Sequence, residues 1–165
     1  GAIDRGVNHR EKIVSQLQYF FFFFIMKKTF YLLTGDIGGT NSRMYLYDTS
    51  CGDCDEPKVV QHYRNSNHIA PEHYKEPGVF QKRIITPFLE HCWASCDDLE
   101  PLNNVAIVAT LAIAGVVDDN RVHLTNLGGI LVDGTAIEMD KSNKYLKHIV
   151  VCRIINDFVA VRCVV

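Results

Sequence analysis

The chain has 165 residues, 17 basic against 19 acidic side chains and a formal net charge of −2, with 47% apolar and 22% charged residues. That is one domain's worth of material. A near-neutral balance without a basic tract excludes a nucleic-acid partner, which would be met by clustered Lys and Arg, and the apolar and aromatic content excludes a disordered or collagenous chain.

The first feature is the apolar block from Tyr19 to Met26, built on the run Phe20 to Phe24 and cut off by Lys27-Lys28. A membrane-spanning helix needs about 20 apolar residues, so this block is too short. As a secretory signal it lacks a small-residue cleavage site, and Asp4 and Glu11 interrupt its positive region. The expectation is that residues 1–25 form a non-native or disordered extension, that the natural protein starts at Met26, and that the folded unit, 26–165, is cytoplasmic with no membrane partner.

Residues 29–35 read as a buried strand and 42–48 alternate like its antiparallel partner. Residues 49–57 are turn material, and 58–64 form a third strand that completes a meander. Residues 65–77, with Asn, His and two Pro, read as loop. A helix fits 78–95, with Val79, Phe80, Ile84, Phe88, Leu89, Cys92 and Trp93 on one face and Pro87 beginning, kinking or interrupting it.

The continuous apolar run 104–109 reads as a central strand. Residues 116–125 read as a short hairpin turning at Asp118-Asp119-Asn120, with 121–125 as the returning strand. A helix is expected over 134–147, a strand over 147–155 and the opening of another helix from Val159. Three meander strands, a helix, then strand, helix, strand is an α/β arrangement with a mixed sheet and flanking helices.

Of six Cys, Cys51 and Cys54 have the closest spacing, and Cys92 and Cys96 lie four apart in the expected helix. A metal at Cys51 and Cys54, with His62 or His68 nearby, stays open. Reduced thiols in a loop of a cytosolic protein are the favoured reading.

Between the first two strands lies Asp36-Ile37-Gly38-Gly39-Thr40-Asn41. Adjacent glycines bring backbone N–H groups close to an anion without Cβ interference. Thr40 and Asn41 add side-chain donors, and the preceding acid suits Mg²⁺ or its waters. An ordinary type I′ or II′ hairpin would also satisfy Gly-Gly. The turn has neither the P-loop nor the dinucleotide glycine pattern.

Asn156-Asp157 follows a buried strand, at the carboxyl end where open α/β sheets place ligands. A carboxylate there can accept a hydroxyl proton while the amide orients that hydroxyl; capping of the next helix is the alternative. Thr125-Asn126 is a third polar pair at a strand end.

Four segments occur in order: Gly35 to Arg43; Ala112 to Gly115; Leu124-Thr125-Asn126 with Val132-Asp133-Gly134; and Ile155-Asn156-Asp157-Phe158 with Val159 to Val161. Together they resemble the bacterial-type glucokinase family, whose members are similar to hexokinases and share the actin-like ATPase (ribonuclease H-like) fold. The resemblance covers the N-terminal lobe of that family. It implies ATP-dependent phosphorylation of glucose at its 6-hydroxyl, with ATP and Mg²⁺ as cofactors. Gly38, Gly39, Thr40 and Asn41 would face the ATP phosphates and Asp36 the magnesium. Asn156 and Asn126 would bind the sugar, and Asp157 would act as general base. It also implies a chain truncated at its C-terminus and inactive alone, and a homodimer of the longer protein. The rival reading is a non-catalytic remnant or sugar-responsive regulator of the same fold. Val116, where the family has Pro, and Gly128-Gly129, where it has an aromatic, are departures in the sugar loop.

Overall fold

The computed structural model describes residues 28–51 and 56–157. In chain order its strands are β1 (Thr29–Ile37), β2 (Asn41–Asp48), β3 (Val59–Arg64), β4 (Val105–Ile113), β5 (Arg121–Leu124), β6 (Ile130–Asp133) and β7 (Ile149–Asn156). Its α-helices are α1 (Asn65–His68), α2 (Thr86–Ser95) and α3 (Gly134–Met139). Five strands form a mixed sheet in the order β3-β2-β1-β4-β7, and β5 and β6 form a separate ribbon. β1, β2 and β3 are the antiparallel meander, whereas β4 and β7 run parallel to β1 and to each other.

Period-two alternation explains the sheet. On β1, Tyr31, Leu33 and Ile37 are buried, and on β2 Met44 and Leu46 face the same interior. They share one core with Ile107 and Leu111 of β4 and with Phe80, Phe88 and Leu89, the apolar face predicted for the helix over 78–95. β4 is buried along most of its length and runs on to Ile113, beyond the 104–109 expected.

Three expectations need correction, whereas the helix expected over 78–95 forms over residues 79–95, with a π-helical turn, Gln81–Ile85, leading into α2. Pro87 lies in the first turn of α2; having no N–H, it cannot donate four residues back, and the turn before it widens so that Thr86 N–H bonds Gln81 O.

The helix over 134–147 ends at Met139. There the Asp140 carboxylate accepts from Ser142 N–H (3.1 Å), Ser142 Oγ (2.7 Å) and Asn143 N–H (3.1 Å), a local turn that competes with helix continuation.

The turn at Asp118-Asp119-Asn120 exists, with positive φ of 45° at Asp119 and 61° at Asn120 and paired backbone bonds between Asp118 and Arg121. The returning strand, however, pairs forward with β6, because Val122 and Leu124 find buried partners in Ile130 and Val132, while Val116 is 89% exposed. Finally, 65–77 holds α1 and a 3₁₀ turn, Pro71–His73, as well as loop.

The expected extension over 1–25, Cys54 and the helix from Val159 lie outside the described residues. Among the described residues no helix is long and apolar enough to cross a membrane.

Candidate functional site

Parallel pairing brings three strand ends level. Ile37 pairs with Ile113, and Ile113 with Asn156. The segments leaving these strands therefore emerge at one carboxyl edge: the glycine turn after β1, Ala114-Gly115 after β4, and Asp157 after β7.

The glycine turn is closed by Gly38 N–H donating to Asn41 O at 2.9 Å. The residues of positive φ include neither Gly38, Gly39 nor Thr40, so the turn is not type I′ or II′, which require positive φ at a central residue. Glycine is needed at position 39 for another reason. A Cβ there would lie 2.5 Å from Asn126 Cβ and 2.7 Å from its Nδ2. Asn126, in the 3₁₀ turn Thr125–Leu127, is thus packed directly on the glycine turn.

Asn156 Nδ2 donates to Gly115 O at 2.6 Å, which ties the end of β7 to the loop after β4. Gly115 has φ of 153°, and a Cβ there would meet Val122 Cγ2 at 2.8 Å, so the same loop also rests on β5. Asp157 is half-buried at the tip of β7. Asp36 is exposed on β1, where Arg43 Nη1 lies 3.6 Å from its Oδ2. Thr40 and Asn41 are exposed at the turn. Among the described residues no group of three or more His, Cys, Asp and Glu could hold a metal by itself. A single carboxylate of this kind suits Mg²⁺, which keeps several of its own waters when bound.

Two supports of this edge escaped sequence reasoning. Asn65 and Ser42 are fully buried and hydrogen-bonded to each other, and Asn65 also bonds the glycine turn. Asn120 pairs with the outer edge of β7: its Nδ2 donates to Cys152 O at 2.9 Å and its Oδ1 accepts from Ile154 N–H at 2.8 Å. The sequence signals for them are weak: a Ser at a core position of β2, and an Asn in a turn.

Asp133 has a structural task. Its Oδ1 caps α3 through Ala136 N–H at 2.9 Å, and its Oδ2 takes Arg121 Nε at 2.6 Å. Beyond Asn126, a cavity of about 640 Å³ separates the segment 74–78 from the β5–β6 ribbon. Tyr74, on its wall, lies against Gly128, where any side chain would collide with the ring.

The fold and this edge define an α/β lobe that sets a glycine hairpin beside polar groups at the ends of parallel strands. The family model for glucokinase matches residues 33–165, and the chain belongs to the glucokinase family. Among solved structures it is similar to a glucokinase from an Antarctic psychrotroph, at 21% identity and a TM-score of 0.43, over 79% of this chain and 33% of that one. It therefore spans about a third of that protein's length. No curated protein matches the chain.

Proposed function

We propose that the chain supplies the phosphate turn and the sugar-hydroxyl groups of an ATP-dependent glucose kinase acting in the cytoplasm, with a second lobe needed for turnover. The observation that carries this reading is the common carboxyl edge on which the turn after Ile37 and the pair Asn156-Asp157 meet, in a chain of the glucokinase family. In this reading Gly38, Gly39, Thr40 and Asn41 face the ATP phosphates. Asn126 and Asn156 orient the sugar, and Asp157 takes the proton of its 6-hydroxyl. Asp36 would hold Mg²⁺ through water, and the ion would neutralise phosphate charge when bound. Phosphoryl transfer asks a protein mainly for positioning and charge stabilisation, so a turn and a base at fixed separation suit it.

The test is a coupled assay for glucose 6-phosphate. The 165-residue chain alone is expected to give no turnover, because nucleotide in this kind of kinase is held between lobes. A chain continued through a second lobe is expected to turn over and to lose about 10²- to 10⁴-fold with Asp157→Asn, the usual worth of a general base. Robust turnover by the lone chain, or an unaffected Asp157→Asn enzyme, overturns the assignment.

A further inference from the structure

The only side chain that grips the backbone of the glycine turn from the inside belongs, among the described residues, to Asn65. Its Nδ2 donates to Gly38 O at 2.9 Å, its backbone N–H donates to Thr40 O at 2.8 Å, and its Oδ1 accepts from Ser42 Oγ at 2.7 Å. Both side chains are fully buried. The amide orientation is dictated by this network: a carbonyl only accepts, so Gly38 O must face the NH₂ end. The oxygen end then faces Ser42, whose hydroxyl must donate.

Holding Gly38 O has a consequence one bond further on. In a planar trans peptide the C=O and the following N–H point in opposite directions, and no described peptide bond is cis. With Gly38 O turned inward to Asn65, the N–H of Gly39 is turned away from it, out of the core. If the peptide were reversed, a carbonyl oxygen would point outward there and would repel an anion.

We propose that Asn65, oriented by Ser42, is a positioning residue that fixes the Gly38–Gly39 peptide so that the Gly39 N–H is presented to a phosphate of the nucleotide. This rests on the reading of the turn as a phosphate site. Asn65 touches no substrate itself.

Amide NMR of the chain continued through a second lobe, titrated with Mg·ATP, tests both layers. The expected result is that the Gly39 resonance moves in the wild type. In Asn65→Asp, which keeps the shape but places an acceptor against Gly38 O, affinity falls by about tenfold or more, the worth of a reversed charge-assisted hydrogen bond, while the Leu33, Ile107 and Leu111 methyl resonances stay in place. A merely structural Asn65 would lower stability and leave the Gly39 response intact. Equal affinity of folded Asn65→Asp and wild type overturns the proposal and leaves the phosphate reading standing. A wild-type Gly39 resonance that does not move defeats the phosphate reading and the proposal with it. If Asn65→Asp does not fold, Asn65→Ala takes its place, since it removes the bond that holds Gly38 O; wild-type affinity in that variant overturns the proposal.

Discussion

Asn126 occupies the space that a side chain on Gly39 would need: a Cβ built there would lie 2.5 Å from Asn126 Cβ. A β-carbon cannot swing aside as the end of a flexible side chain can, so Gly39→Ala must push the β5–β6 ribbon away from the hairpin. Overpacking of this kind costs about 1–3 kcal/mol. Gly38 is the control, because a Cβ there would meet only Asn41 O at an ordinary 3.5 Å, and Gly38→Ala is expected to stay within about 0.5 kcal/mol of wild type. Urea unfolding of both variants checks the contrast; equal losses would show that Asn126 is not what demands the glycine.

Asn120 does for the edge of β7 what a neighbouring strand would do, with one carboxamide bonding Cys152 O and Ile154 N–H. Asn156 is the second residue beyond Ile154, so this pairing sets where the strand tip emerges. Asn120→Ala removes both bonds and puts a Cβ-bearing residue without a local polar partner at φ of 61°, for an expected loss of about 2–4 kcal/mol. Asn120→Gly keeps the turn and loses only the bonds, so it should fall between alanine and wild type. Hydrogen exchange at Ile154 N–H is the direct readout, and protection unchanged in both variants would refute the role.

Acid should loosen the same region. Burial acts to raise the pKa of Asp133, whose side chain is 15% exposed. The Ala136 N–H and the Arg121 guanidinium outweigh that and hold the carboxyl below its ordinary value. A group depressed in the folded state stabilises above its unfolded pKa, about 3.9, and that contribution fades as pH falls through the folded value. The expected outcome is that wild type exceeds Asp133→Asn in urea midpoint at pH 6 and that the two converge as pH is lowered below 4. Parallel curves across that range would remove Asp133 from the acid response.

The strands were legible where burial imposes period two: Tyr31, Leu33 and Ile37 on β1, or Met44 and Leu46 on β2, admit only one pleated reading. β6 was missed because four residues after Gly128-Gly129 carry too little alternation to mark a strand, and its partner is fixed by burial of Val122 and Leu124. The end of α3 was hidden for a different reason, since residues 134–147 have helical composition and only the Asp140 side-chain turn stops them. At the site, the glycine turn and the Asn156-Asp157 pair stand out because their chemistry is local. Asn65 and Asn120 do not, because each is defined by partners that the fold brings from 27 and 34 residues away.

Thiol chemistry offers a last reading of the β7 edge. Burial pushes the Cys92 and Cys152 thiols up to about 12, leaving about one part in 10⁴ as thiolate at pH 8. Both should resist iodoacetamide in the native chain and react once urea unfolds it, as mapped by peptide mass spectrometry. Cys152 is the informative one, because its own carbonyl is held by the Asn120 amide and its N–H by Glu138 Oε2 at 3.1 Å. Asn120→Ala should therefore speed native labelling of Cys152 while leaving Cys92, buried on α2, as slow as before. Acceleration at both would indicate global loosening; acceleration at Cys152 alone would place the defect at the strand that ends in Asn156.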